Sequence, residues 1–177
     1  MNPIIVIHVV LVLLAVVVFA VGLLLPRKKS AQRAVELRAI PEEIWGIVTS
    51  VEQQARWRSD LKNIQIVERT PETEVWTEYP KSGTPLTFKT RKKIPYTRYE
   101  IETVNSTVFS GRRVVIFEEL SKDATKIIVT ECAEIRNPLM RLLAHLYFNF
   151  GATIDHYMKD LTVELHKKLE RLSSQTS

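Results

Sequence analysis

The chain begins with an uninterrupted hydrophobic segment. From Pro3 to Leu25 the only polar side chain is that of His8. At about 1.5 Å of rise per residue, a helix over these residues is roughly 34 Å long, which is enough to cross a hydrocarbon core about 30 Å thick. We predict one transmembrane helix over residues 3–25. A cleaved signal peptide is the alternative, but its apolar region is usually about 7–15 residues long and follows basic residues.

Positive charge directly after this segment predicts its orientation. Arg27, Lys28 and Lys29 follow the apolar run, whereas no charged side chain precedes it. The positive-inside rule therefore predicts an N-terminus outside and a cytoplasmic globular part. The same three residues are the candidate contacts with anionic lipid at the membrane surface. We divide the chain into an anchor with a basic juxtamembrane linker, residues 1–30, and a globular domain, residues 31–177.

The pattern after the anchor predicts a mostly antiparallel sheet. Ala31–Ile40 alternates between polar and apolar positions, which predicts a first strand. Pro41 with two acidic residues after it favours the start of a helix, and a second short helix is expected over Glu52–Trp57. Short turns between the segments that follow indicate a meander. Six further strands are predicted: Leu61–Arg69, Glu74–Tyr79, Pro85–Ile94, Arg98–Thr107, Arg112–Leu120 and Thr125–Ile135.

The last part of the chain has the spacing of a long amphipathic helix. Asn137 can cap it, Pro138 suits its first position, and apolar residues then recur every three or four positions as far as Leu172. Gly151 in its middle indicates a bend or a close approach to the sheet. The fold class is therefore α+β: a seven-stranded curved antiparallel sheet around a long C-terminal helix, with one transmembrane helix in front.

Charge and composition exclude several classes of function. The formal net charge is +5, from 25 basic and 20 acidic residues, and three of the basic residues are juxtamembrane. The globular part is nearly balanced, so nucleic-acid binding is not expected. His145, His156 and His166 lie too far apart on the predicted helix to bind one metal ion. We expect no metal and no cofactor, and the single cysteine, Cys132, cannot form an internal disulfide.

Several short sequences resemble one known superfamily. They are Pro41-Glu42-Glu43-Ile44-Trp45, Trp57-Arg58-Ser59-Asp60, Thr130–Pro138, and Phe150–Asp155 together with Tyr157. Together with the element order, they resemble the START-like (helix-grip, Bet v 1-like, SRPBCC) superfamily, in particular its polyketide cyclase/dehydrase and lipid-transport branch. The resemblance covers about residues 31–172. It implies a helix-grip fold whose cavity, between the sheet and the long helix, binds an apolar ligand such as a lipid.

Candidate chemistry is concentrated at one carboxylate. If Ile127, Val129 and Ala133 face inward, alternation places Glu131 on the same face. Desolvation would raise the pKa of a carboxyl group there and suit it to acid–base catalysis. The alternative is a structural carboxylate that is bonded to a basic or polar partner. His145 is the candidate catalytic partner of Glu131.

The candidate cavity residues are aromatic, apolar or inward-facing. They are Trp45, Trp57, Leu86, Phe88, Tyr99, Phe117, Glu131, Leu143, Tyr147 and Phe150. The expected partners are membrane lipids and a hydrophobic small molecule. Three functions remain open, because a filled pocket and a solid core use the same side chains: a membrane-tethered binding module, a cyclase- or dehydratase-type enzyme, and a protein-interaction domain.

Overall fold

The structure is a computed structural model that describes residues 2–71, 73–104, 106 and 109–175. Its elements follow the order predicted from the sequence. They are α1 (Pro3–Leu24), β1 (Lys28–Leu37), α2 (Pro41–Thr49), α3 (Val51–Trp57), β2 (Leu61–Arg69), β3 (Glu74–Pro80), β4 (Leu86–Ile94), β5 (Arg98–Val104), β6 (Phe109–Ser121), β7 (Ala124–Ile135), α4 (Pro138–Tyr147) and α5 (Phe150–Gln175). The predicted end of β5 at Thr107 lies outside the described residues.

The strands form one antiparallel sheet in the order β1-β7-β6-β5-β4-β3-β2. This confirms the predicted seven-stranded sheet. Register shifts in the β2–β3, β4–β5 and β6–β7 pairs bend it, as bulges do. β1 pairs with β7 from Lys28 opposite Glu134 to Leu37 opposite Thr125. The start of β1 and the end of β7 are therefore side by side, so α1 and α4 leave the sheet at the same end.

The core lies between the concave face of the sheet and α5. Alternate residues of β7 are buried from Thr125 to Ile135, and they face α5. Ile154, Leu161 and Leu165 of α5 are completely or almost completely buried, as is Trp76 of β3. Burial of this apolar stripe stabilises the docking of α5 by the hydrophobic effect.

The C-terminal helical region is divided into two helices. Asn137 caps α4 as expected, since its side chain accepts hydrogen bonds from the amides of Leu139 and Met140. Phe148, however, has extended backbone angles, and α5 begins only at Phe150. Gly151 lies just after this break, and a side chain there would collide with the guanidinium of Arg33 on β1. Both a bend and a close approach to the sheet therefore occur at Gly151.

α1 begins at Pro3 as predicted, but the region after it differs from expectation. α1 has a mean hydropathy of 3.4 over its most apolar window and is long enough to cross a membrane. β1 begins at Lys28, three residues earlier than the predicted strand at Ala31, because Lys28 and Lys29 already pair with β7. Only residues 25–27 separate α1 from the sheet, so the predicted basic linker is largely part of a strand.

Candidate functional site

Two adjoining cavities open between the sheet and α5. One has a volume of about 380 Å³ and is lined mainly by polar side chains, including Arg58, Asp60, Arg113, His156 and Tyr157. The other has a volume of about 200 Å³ and reaches the sheet. Arg58, Asp60, Arg113 and Thr153 line both. These four side chains therefore form the boundary between the polar cavity and the second, more apolar one.

Arg58, which ends α3, is the centre of a buried polar cluster. Its Nη1 donates hydrogen bonds to Glu78 Oε1 at 2.9 Å and to Gln54 Oε1 at 3.0 Å, and its Nη2 donates to Asp60 Oδ2 at 2.8 Å. Burial alone would lower the pKa of Arg58, but the charges of Glu78 and Asp60 outweigh it and raise the pKa above its usual value. The guanidinium is therefore charged although it is buried.

Arg113 and Glu131 form a second buried ion pair. They are opposite each other on β6 and β7, and Arg113 Nε donates to Glu131 Oε1 at 2.7 Å. Burial acts to lower the pKa of Arg113, yet the negative charge of Glu131 raises it overall. Glu131 faces inward with Val129 and Ala133, as alternation predicts. Its contact with Arg113 is that of a structural carboxylate.

Tyr157 of α5 lies next to both arginines. The carbon at the centre of the guanidinium is 5.7 Å from the ring centroid for Arg58 and 4.9 Å for Arg113, which is within cation–π range. Burial raises the pKa of the Tyr157 phenol, and the two positive charges only partly offset this. The hydroxyl is therefore neutral near pH 7 and can both donate and accept a hydrogen bond.

The exposed surface inside the second cavity is mostly apolar. Phe88 of β4 stacks on Trp76 with ring centroids 5.9 Å apart, and it lines this cavity from the sheet side. Phe148 and Phe150, at the break between α4 and α5, line it at the other end, with ring centroids 6.3 Å apart. An apolar wall with a few polar groups at one end is the usual construction of a small-molecule pocket.

Four of the sequence-predicted cavity residues line the second cavity, and the others lie elsewhere. The four are Leu86, Phe88, Glu131 and Phe150. Trp45, Tyr99 and Phe117 pack against one another in the core, with the Trp45 ring 6.1 Å from that of Tyr99 and 5.3 Å from that of Phe117. Trp57 packs on Tyr157. These four aromatic rings fill space rather than line either cavity.

Leu143, Tyr147 and His145 require a correction, because all three lie on α4. α4 packs against α1 instead of extending α5 across the sheet. Leu143 and Tyr147 are exposed, Tyr147 by 79%. His145 Nδ1 lies 3.0 Å from the carbonyl oxygen of Arg141 in the same helix. None of the three lines the cavities, so the expected pairing of His145 with Glu131 does not occur.

Sequence reasoning missed most of the polar cluster. Arg113 alternates with Val115 and Phe117, and Glu78 alternates with Trp76, so each is a charged residue at an inward-facing position. That position is the signal that would have identified them. Within the part of the chain that the structure describes, no group of three or more His, Cys, Asp or Glu side chains is placed to hold a metal ion.

Arg27, Lys28 and Lys29, the predicted membrane-surface residues, all lie at the end of α1. Arg27 and Lys28 are exposed. Lys29 is half-buried, and its ammonium group donates to the carbonyl oxygens of Ala144 and Phe148. Only the first two are therefore free to meet lipid headgroups.

No protein-family model and no curated protein sequence matches the chain. Solved structures do match it. The ZhuI aromatase/cyclase from Streptomyces sp. R1128 superposes with a TM-score of 0.65 at 13% identity, over 80% of this chain and 96% of the other. A START superfamily protein from Mycobacterium smegmatis superposes with a TM-score of 0.59 at 20% identity, over 78% and 97% of the two chains. The chain has the START-like fold.

The START-like fold is shared with proteins of different activities. Norcoclaurine synthase from Thalictrum flavum also superposes, with a TM-score of 0.66 at 7% identity, over 80% of this chain and 96% of that one. Identities this low establish the START-like fold and leave the activity to be inferred from the site itself.

Proposed function

We propose that the chain is a membrane-tethered START-like module that binds a lipid or another hydrophobic small molecule between its sheet and α5. The observation that carries the proposal is the second cavity, whose apolar wall ends at a buried cluster of charged side chains. An apolar molecule would gain free energy by leaving water for the wall formed by Leu86, Phe88 and Phe150. Its polar end would meet Tyr157 and the arginines.

The ion pairs support binding rather than proton transfer. Glu131 is bonded to Arg113, while Glu78 and Asp60 are bonded to Arg58. A general acid or base must be able to exchange its proton with a ligand, and a carboxylate whose oxygen already accepts a hydrogen bond from a buried guanidinium is poorly suited to that. The cluster is better suited to orienting the polar end of a ligand.

The arrangement of Ser59, His156 and Asp160 at the edge of the polar cavity does not provide a nucleophile. Ser59 Oγ lies 2.6 Å from His156 Nε2 and 2.7 Å from Asp160 Oδ2. In a hydrolytic triad the carboxylate binds the other ring nitrogen of the histidine, not the serine. The three side chains instead join the end of α3 to α5.

The tether is α1. Its apolar side chains are exposed along the helix, as expected of a segment that lies in lipid. The exposed Arg27 and Lys28 after it favour a cytoplasmic position for the domain under the positive-inside rule.

A cavity-filling substitution tests the binding proposal. Ala133 is 3% exposed on β7 and lines the second cavity, whereas Ala34 is exposed on β1. Delipidated full-length protein is expected to bind a fluorescent fatty acid, and Ala133→Phe is expected to weaken this binding about tenfold or more, since roughly 1.4 kcal/mol corresponds to tenfold. Ala34→Phe is the matched control and should bind as the wild type does.

The binding proposal fails if the delipidated wild type binds no apolar probe, or if Ala133→Phe binds as tightly as the wild type. Circular dichroism and thermal unfolding establish whether Ala133→Phe folds. Leu86→Trp, which fills the same cavity from β4, provides a second variant if it does not.

A cyclase- or dehydratase-type enzyme is the second candidate. The observation that favours it is the charge buried beside an apolar cavity, which is an arrangement found at catalytic sites. This candidate requires Glu131 to exchange a proton with a substrate, and its test is combined with the stability prediction for Glu131 below.

A further inference from the structure

The end of α1 is fastened to the domain by a buried arginine. Arg141 of α4 is 2% exposed. Its guanidinium donates hydrogen bonds to five backbone carbonyls: those of Gly22, Leu23 and Leu25 at the end of α1, and those of Ile135 and Arg136 before α4. The last carbonyls of a helix have no partner within the helix and carry the negative end of its dipole. A buried cation at this point therefore stabilises the end of α1.

Steric contact and a second basic side chain also hold α1 against α4. A side chain at Gly22 would collide with the backbone of Pro138, so the two helices touch where Gly22 lies. Lys29, on β1, donates to the carbonyls of Ala144 and Phe148 at the end of α4. Arg141 of α4 thus caps the C-terminal end of α1, and Lys29, which follows α1, caps the C-terminal end of α4. α1 and α4 form one rigid corner.

This corner fixes the height of α4 relative to a bilayer. Gly22 lies three residues before Leu25, the last residue of the apolar run. At 1.5 Å of rise per residue, the contact with Pro138 is about 4.5 Å from the end of that run. When α1 spans a membrane, α4 therefore begins at the boundary between the hydrocarbon core and the headgroups. Amphipathic helices that lie flat on membranes occupy this boundary and bury their apolar face roughly 5–10 Å into it.

The surface that α4 presents fits this position. Leu139, Leu143 and Leu146 recur at helical spacing and are 45%, 39% and 66% exposed. Tyr147 and Phe148 continue the row, at 79% and 62% exposed. The polar side chains of α4, those of Arg141 and His145, are buried or half-buried. A contiguous exposed apolar surface of this kind is typical of a contact with a membrane or a partner.

We propose that α4 is an interfacial membrane helix whose row of exposed apolar side chains, Leu139, Leu143, Leu146, Tyr147 and Phe148, inserts into the leaflet in which α1 ends. The occupant of this surface is the lipid itself, because the fixed corner leaves α4 at the lipid boundary. Phe148 belongs both to this row and to the lining of the second cavity. The mouth of the cavity therefore faces the bilayer, and the ligand class is a molecule dissolved in that leaflet.

This inference rests on the proposed function, since it requires α1 to span a membrane. The experiment separates the two. An environment-sensitive fluorescent amino acid is incorporated at Leu146 of α4, at Val67 of β2 or at Leu13 of α1. Val67 is the matched control, with 61% exposure against 66% for Leu146. Each full-length protein is reconstituted into phosphatidylcholine vesicles that contain nitroxide-labelled phosphatidylcholine.

The reporter at Leu146 is expected to lose most of its fluorescence to a shallow nitroxide, and the reporter at Val67 to lose little. Equal quenching at Leu146 and Val67, with the Leu13 reporter quenched by a deep nitroxide, would overturn the inference while leaving the anchor intact. An unquenched Leu13 reporter would contradict the anchor, and with it the premise of the inference.

Two variants test the role of Arg141 in holding α1 against α4. Arg141→Lys keeps the charge, but a single ammonium group cannot serve five carbonyls. Gly22→Ala pushes α1 away from the backbone of Pro138 and leaves Arg141 unchanged. Both are expected to reduce the quenching at Leu146 and leave that at Leu13 as in the wild type. Ala20→Val, at an exposed position of α1, is the control. Unchanged quenching at Leu146 in both variants would overturn the role of Arg141.

Discussion

The buried charges beside the cavities are paired within the protein. Arg58 is bonded to Glu78 and Asp60, and Arg113 is bonded to Glu131. A buried pair contributes little net stability because desolvation offsets the attraction of its charges. Removing one partner is costly, since it leaves the other charge buried and unpaired. This asymmetry makes each pair testable by single and double substitution.

Glu131→Gln is expected to destabilise the protein by about 2–3 kcal/mol, because it leaves the buried charge of Arg113 without its partner while keeping one hydrogen-bond acceptor. The double variant Glu131→Leu with Arg113→Met should recover most of this loss. Urea unfolding of the three proteins measures both values. Equal destabilisation by the single and double variants would contradict the pairing, and loss of a reaction without loss of stability in Glu131→Gln would favour the enzyme candidate.

The ionisation of Asp60 makes the stability of the folded protein depend on pH. Burial alone would raise the pKa of Asp60, but the hydrogen bonds and charge of Arg58 outweigh it, so the pKa lies below its usual 3.8. A depressed pKa means that the folded state favours the ionised form. The stability it contributes is present above pH 3.8 and is lost as the pH falls through the folded-state pKa.

Asp60→Asn is therefore expected to lower the free energy of unfolding at pH 7 by about 1 kcal/mol, a small value because solvent screens the partly exposed carboxylate. The difference from the wild type should disappear as the pH falls well below 3.8. Thermal unfolding across this pH range measures it. A difference that is constant with pH would show that the Asp60 charge is not the cause.

The sequence predicts the inward position of Glu131 but not its partner. Alternation along β7 is a local property, whereas the pairing with Arg113 depends on the register between two strands. Alternation with Val115 and Phe117 places Arg113 on the inward face of β6. The carboxylate that it meets is known only when the register is known.

At the scale of elements, the break between α4 and α5 is set by tertiary contacts. The apolar spacing from Leu139 to Leu172 is the same for one helix or two, and no proline or glycine occupies residues 148 and 149. The docking of α4 on α1 decides between the two, because Arg141 can reach the end of α1 only if α4 leaves the line of α5. Periodicity cannot show this contact, which joins residues more than a hundred positions apart.

The cost of a substitution at Gly151 depends on which atom the added side chain meets. At Gly151 an added methyl group meets the end of the Arg33 side chain, which can move. Gly151→Ala loses the exposed Arg33–Asp155 ion pair, worth about 0–1 kcal/mol, and gains about 1 kcal/mol of helix propensity. Its free energy of unfolding should therefore stay within about 0.5 kcal/mol of the wild type.

Chemical denaturation measures the effect of Gly151→Ala, and Arg33→Ala is the background that isolates it. Without the arginine, Gly151→Ala should stabilise the protein, by up to about 1 kcal/mol. Strong destabilisation by Gly151→Ala in both backgrounds would show that backbone, and not Arg33, limits the space at this position.

At the scale of the whole molecule, α1 and the domain depend on each other. A fragment over residues 27–177 keeps all seven strands but removes three of the five carbonyl acceptors of Arg141. Losing these hydrogen bonds, which water replaces only in part, together with the packing of α1 on α4, is expected to cost about 1–3 kcal/mol, which corresponds to roughly 5- to 150-fold faster opening.

Amide hydrogen exchange in α4 is therefore expected to accelerate by that factor in the fragment, while exchange in the part of α5 with buried side chains, from Ile154 to Leu165, stays unchanged. The measurement is made on the full chain and the fragment in the same detergent. Equal protection of α4 in both proteins would show that α1 does not hold it.

The predictable part of the fold is the part that local patterns specify. Turn residues between short alternating segments mark the ends of the strands of the meander, and the number of segments gives the number of strands in the sheet. The corner between α1 and α4 is different, because it is formed by backbone carbonyls and one arginine, and backbone atoms leave no trace in the sequence. The apolar helix α1 is visible in the sequence, but its attachment to α4 is not.

The three-residue connection between α1 and β1 limits how far the domain can travel. Three residues span at most about 10–11 Å when fully extended. With α1 in a bilayer, the domain cannot cross an aqueous gap to an opposing membrane. If the chain binds a ligand as proposed, it would hold or present that ligand at one membrane, and delivery elsewhere would require the acceptor to come to it.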